Sequence, residues 1–210
     1  MVLLIEPRSA SAPAVVLDVP ADFHQVPLAS DTEDRTAAQL QVLEDMGLSD
    51  TGQREALSLY LEALSKRLSG GPVLATAFCA VRVNDHPSTA TLTVGLHTMR
   101  TADRGLAVLG AAEAMRREGR YANVAIVEVG PHPAVTAVAE RATTPEDTVT
   151  GEVGATLREL SVLVPVPGHE QAVIVTLSTP CLEDWDIYQR LVLDICRSLR
   201  VQSALGDAIS

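Results

Sequence analysis

Residues 160–180 read LSVLVPVPGHEQAVIVTLSTP, and this stretch limits the fold more sharply than any other. Two apolar, β-branched runs flank a Pro167-Gly168 dipeptide, which is the chemistry of two strands joined by a turn. The spacing predicts strands over 157–164 and 172–177, with His169 and Glu170 on a solvated tip at 165–171. Runs this apolar call for a sheet shielded by helices, and the rest of the chain supplies the helices.

Val15-Val16-Leu17 reads as a first strand, stopped by Pro20. The acidic residues 31–34 suit the positive end of a helix that starts near Arg35, carries Leu40, Leu43 and Met46 on one stripe and closes at Gly47. A second helix over 53–68 repeats Leu57, Leu61, Leu64 and Leu68 and is ended by Gly70-Gly71. Residues 73–83 and 90–99 form a hairpin about the turn-forming 84–88. A helix from Asp103 then carries Leu106, Leu109 and Met115 inward and stops at Gly119. Strands over 123–129 and from 134 through Val138 follow, joined by Gly130-Pro131-His132-Pro133, and a polar, mobile-looking loop spans 143–154. Thr179 caps the last helix with Pro180 at its first position, and Trp185, Tyr188, Leu191, Ile195 and Leu199 form its apolar face. No composition break divides the chain. The expectation is one α+β domain over 1–210, with residues 1–13 at its periphery.

The order of elements, from "DVPADF" (18–23) through a strand meander and a crossover helix to "VLVPVPGHEQAVIVTLSTP" and a closing helix, resembles a known architecture. It is similar to the α/β/α sandwich of the PsbP subunit of photosystem II and the yeast Ran-GTPase release factor. It also resembles actinobacterial proteins that end in a "PVPG…STP" hairpin and a helix. The resemblance covers roughly residues 14–200. It implies one mostly antiparallel sheet flanked by helices and action by binding other proteins, and it carries over no catalytic residue.

Charge and composition narrow the partners. A formal net charge of −11 repels phosphate backbones and anionic lipid surfaces, and only 3% of residues are aromatic, so few side chains can stack on bases. Neither a nucleic-acid nor a membrane partner is expected. Lys66 is the only lysine among the sixteen basic residues, a bias of GC-rich bacterial coding. Val2-Leu3-Leu4-Ile5 is too short for a signal peptide, and Cys79, Cys181 and Cys196 fit reduced thiols, so a cytoplasmic location is expected.

Candidate chemistry is sparse. His169-Glu170 lacks the second histidine of a zinc-protease helix, and no dinucleotide, P-loop or nucleophile-elbow motif is present. Chain reversals put His132 and His169 at one end of the sheet and His86 with Cys181 at the other. Glu170 could join the first pair on a metal, but prolines flank both loops, which favours exposed histidines without a ligand. Cys181 sits near a helix start, where Glu183, Asp184 and Asp186 disfavour a thiolate. Glu183-Asp184 is read as a solvated pair, Cys79 and Cys196 as core residues, and Arg116, Arg117 and Arg120 as cations at a helix C-terminus. No catalytic, cofactor-binding or metal-ligating residue is assigned, and no cofactor. The expected function is a non-enzymatic accessory or scaffold protein that binds another protein, with homo-oligomerisation through a sheet edge as a further possibility. The alternative is a small-ligand carrier or enzyme, with a pocket between sheet and helices lined by Trp185, Tyr188 or Tyr121.

Overall fold

Side chains on a strand alternate between faces, so a sheet whose strands are apolar at odd and even positions needs a cover on both sides. The computed structural model describes residues 1–5, 14–28, 32–47, 50–68, 73–145, 147–149 and 153–202 and shows how both covers are provided. Seven strands form the main sheet: β3 (His24–Gln25), β4 (Val73–Val83), β5 (His86–Thr98), β6 (Tyr121–Val129), β7 (His132–Ala142), β8 (Thr156–Pro165) and β9 (Gln171–Thr179). Their order is β3-β4-β5-β9-β8-β7-β6, and every pair is antiparallel. The helices are α1 (Thr32–Asp45), α2 (Thr51–Leu68), α3 (Arg104–Glu118) and α4 (Trp185–Arg197). The α+β class read from the sequence is the class of the structure.

Beside the expected antiparallel sheet, the described residues form a second, smaller one. β1 (Val2–Ile5), β2 (Ala14–Asp18) and β10 (Arg200–Gln202) form a small antiparallel sheet of order β1-β2-β10. The N-terminal residues expected at the periphery therefore divide. Val2–Ile5 is a paired strand that buries Leu3, held also by the Met1 ammonium on the Val19 carbonyl at 2.7 Å, while 6–13 lie outside the described residues. β10 escaped the sequence reading because three residues carry too little alternation to register.

The small sheet and α4 cover the first face of the main sheet. Leu3, Val15 and Leu17 share that core with Ala77, Leu92, Val162, Val175 and Leu177 of the main strands and with Tyr188, Val192 and Ile195 of α4. The second face has two covers. The α1–α2 pair closes over Phe78 through Leu43, Leu57, Leu61 and Leu64, and α3 lies over Val135, Ala137, Leu163 and Ala172. Tyr60 joins the first of these covers to the strands, its ring 5.2 Å from Phe78 and its hydroxyl 2.7 Å from Thr91. Leu40, expected on the buried stripe of α1, points outward, and Val42 replaces it. Arg35 clasps Glu62 with two nitrogens at 3.0 Å across the α1–α2 seam, and this pairing holds the Glu62 carboxyl at about 2.

The turns follow from local chemistry. β4 and β5 are joined by Asn84 and Asp85 alone, both at positive φ (45° and 67°), and Asn and Asp tolerate that region best after glycine. Thr179 does not cap α4 directly. Its hydroxyl accepts from the Cys181 amide at 3.0 Å and donates to the Thr89 carbonyl at 2.7 Å, and a 3-10 turn over Leu182–Asp184 leads into the helix.

Because all covers share the main sheet, we propose that the described elements form one domain. Leu177 sits fully buried on β9 between β5 and β8. Leu177→Ala is expected to cost about 2–5 kcal/mol in urea unfolding, with one cooperative transition before and after. Two separated transitions in the parent protein would contradict a single domain.

Candidate functional site

α3 is the element whose placement departs most from its sequence pattern. Asp103 caps it, accepting the Leu106 amide at 2.9 Å, and Gly119 ends it in the left-handed region at φ 71°. Between these fixed ends the helix buries Ala107, Val108, Ala112 and Met115. Leu106 and Leu109, expected inside, are 61% and 58% exposed. The physical reason is which face is seated: Val108, Ala112 and Met115 pack on Val135, Ala137 and Leu163, and the helix then turns Leu106 and Leu109 away. Leaving a leucine in water instead of a core forgoes about 1.5–3 kcal/mol, so this orientation is costly unless something covers it.

Beside this outward face runs a groove of about 630 Å³ between α3 and the ends of β5, β8 and β9. Leu163 and Ile174 form its apolar floor, and Met99, Leu106, Ala111 and Tyr121 line its flanks. Arg100, Arg117 and Arg120 reach its edge, all exposed. Residues 97–121 carry five arginines (100, 104, 116, 117 and 120) against three acids (Asp103, Glu113 and Glu118), a local excess of two positive charges in a chain of net charge −11. Arg117 pairs with Glu113 and Arg120 with Glu118. Arg100 and Arg104 have no ion-pair partner among the described residues. Arg104 stands in the first turn of α3, where the helix dipole opposes a cation.

The histidines are distributed as the chain reversals require. His132 opens β7 and His169 lies in the β8–β9 turn, at the same end of the sheet. They do not form a metal cluster with Glu170 among the described residues. The His169 ring lies 2.9 Å from the Pro167 carbonyl through Nδ1, as fits a turn residue, and Gly168 takes φ 74° beside it. His86 and Cys181 share the opposite end, where the Thr89 amide donates to Cys181 Sγ at 3.4 Å. Burial pushes the Cys79 and Cys196 thiols up to about 12, as suits core cysteines.

Of the three aromatics expected to line a pocket, only Tyr121 does so in the groove. Tyr188 is buried, its hydroxyl 2.8 Å from Ser88, and Trp185 lies under the Arg158 guanidinium at 5.1 Å. Glu183 and Asp184, read as a solvated pair, divide. Glu183 is 61% exposed, whereas Asp184 is 2% exposed and lies 2.9 Å from His86 Nε2. No sequence signal separated the two, because their contrast arises from the path of the 3-10 turn.

No family model matches the chain, and no curated protein matches it significantly in sequence. Six solved chains match it in structure. One is a protein of Bacteroides thetaiotaomicron VPI-5482, at 8% identity and a TM-score of 0.46 over 91% of this chain, which spans 46% of that longer one. Another is LpqN of Mycobacterium tuberculosis, described as involved in cell envelope biogenesis, at 10% identity and a TM-score of 0.45 over 97% of this chain and 91% of that one. These likenesses carry nothing about what this protein does. They give no family-level support to the PsbP resemblance.

Of the loop over 143–154, expected to be mobile, residues 146 and 150–152 lie outside the described residues, and the described part is anchored at Asp147. Asp147 receives Arg141 at 2.5 and 2.7 Å, Arg67 of α2 at 2.6 Å, and both the amide and hydroxyl of Thr144 at 2.8 Å. Arg141 first, then the Thr144 amide and Arg67, hold the Asp147 carboxyl far below the ordinary carboxylate range despite its burial. The stabilisation is therefore complete above the unfolded pKa of about 3.9 and is lost as pH falls through the folded value. Asp147→Ala is expected to cost about 2 kcal/mol at pH 7, less than a fully buried pair, because Arg67 and Arg141 are 39% and 40% exposed. The gap from the parent protein, measured by urea unfolding, is expected to narrow below about pH 4; a gap independent of pH would contradict the network.

Proposed function

We propose that this protein is a non-enzymatic accessory protein that binds a partner protein through α3, and that the partner segment is acidic and carries apolar side chains. The observation that carries this reading is the outward pair Leu106 and Leu109 beside an apolar-floored groove edged by arginines. Helix amphipathicity alone would bury the leucines; their exposure, together with Arg100 and Arg104 having no ion-pair partner among the described residues, is accounted for by a partner that covers the first and neutralises the second. A local excess of two positive charges in a chain of net charge −11 steers an acidic segment toward this basic region and away from the rest of the surface. Three free cysteines support a reducing, cytoplasmic setting, which cell fractionation tests. Among the described residues no helix is long and apolar enough to cross a membrane.

A second reading is supported by the size of the groove. About 630 Å³ is within the range of small-ligand pockets, and an apolar floor with arginines at its edge suits an anionic amphiphile.

The two readings separate in one experiment. Partners captured from the native cell are identified, purified and titrated against the parent protein, Leu109→Asp and Arg100→Glu/Arg117→Glu. The proposal expects an acidic partner whose affinity falls at least tenfold with either variant and weakens with added salt. Equal binding by the variants would overturn the use of α3. Saturable binding of a fatty acid, with no protein partner, would favour the carrier, and turnover of a substrate in the groove would overturn the non-enzymatic reading.

A further inference from the structure

At the other end of the sheet, on residues the α3 reading does not use, we propose that His86, Glu183 and Asp184 bind one divalent transition-metal ion. His86 opens β5 immediately after the two-residue Asn84-Asp85 turn, and the two carboxylates stand in the 3-10 turn between β9 and α4. One ligand atom from each of the three lies within 4.8 Å of the other two. His86 Nε2 is 2.9 Å from Asp184 Oδ2 and 3.6 Å from Glu183 Oε1. Bonds of about 2.1 Å from one ion place neighbouring ligands about 3.0 Å apart at right angles and about 3.4 Å apart at tetrahedral angles. The His86–Asp184 and His86–Glu183 separations thus stand close to those an ion would require, and the two carboxylates lie within 4.8 Å of each other.

Burial makes the case stronger than that of a surface acidic cluster. Asp184 is 2% exposed, and its carboxylate is hydrogen-bonded with His86. A carboxylate has about four lone-pair positions, and the hydrogen bond with His86 uses one of them, leaving others that an ion would fill. The segments that hold the ligands are also fixed to each other: Thr179 bridges the Thr89 carbonyl and the Cys181 amide, and the Thr89 amide meets Cys181 Sγ. The N-terminus of α4 carries about half a positive charge, but Glu183, Asp184 and Asp186 together outweigh it. One imidazole with two carboxylates suits a zinc-class or manganese-class ion better than calcium, whose sites are all oxygen. Exposed Glu183 marks the solvent side, where water would complete the coordination.

The test is calorimetric titration of the full chain with Zn²⁺, alongside His86→Gln, Glu183→Gln and, as a control, His169→Gln. The parent protein and His169→Gln are expected to take one equivalent. The two ligand variants are expected to lose about tenfold or more in affinity, with circular dichroism unchanged. Glu183→Gln alters an exposed side chain, so it keeps the test open if His86→Gln fails to fold. A second readout is the thermal midpoint, which Zn²⁺ is expected to raise more in the parent than in Glu183→Gln at the same concentration. Absence of stoichiometric binding by the parent would overturn the proposal, as would variants that bind as the parent does.

Discussion

The structure depends on the unequal covering of two apolar sheet faces. The antiparallel ladder of β4, β5, β9, β8 and β7 satisfies the backbone of five long strands and fixes which side chains face which way. On the first face those side chains are almost uniformly aliphatic, and α4 with the small sheet closes over them. On the second face the central strands carry a polar row. Thr93, Thr176 and Ser161 are cross-strand neighbours, and the Ser161 and Thr176 hydroxyls lie 2.9 Å apart. The apolar residues of this face are left as two separate patches, each with its own helical cover.

That division explains the character of α3. A helix that covers a small patch of Val135, Ala137 and Leu163 through Val108, Ala112 and Met115 uses only a narrow stripe of its surface. The remaining surface, with its two leucines and the groove alongside, is left to other purposes. Opposite chemistry governs the far end of the sheet, where a histidine meets a buried carboxylate and an exposed one. The two regions are built on different elements and make separate demands on the sequence.

Much of the scaffold could be read from the residues. The Pro167-Gly168 turn, the Asn84-Asp85 turn and the Gly47 and Gly119 helix ends lie where local chemistry puts them, because such positions depend on φ and on little else. The strand directions that bring His86 and Cys181 to one end followed from counting reversals. What could not be read was rotation and company. Leu106 and Leu109 fit an inward stripe by spacing, and only the burial of Ala107, Val108, Ala112 and Met115 in their place decides against them. The burial of Asp184 beside exposed Glu183 depends on a 3-10 turn that leaves no pattern in sequence. Asp147 looked like one acid in a polar loop, and the arginine that reaches it from α2 is 80 residues away in the chain.

The account stands or falls on the orientation of α3, and methyl-resolved NMR with a soluble paramagnetic agent measures that directly. The methyls of Leu106 and Leu109 should relax strongly, while those of Val108 and Met115 on the same helix should be shielded like Leu92 and Leu177 in the sheet. Shielded Leu106 and Leu109 methyls, with Val108 open to the agent, would mean that the helix turns its leucines inward and that no outward face exists.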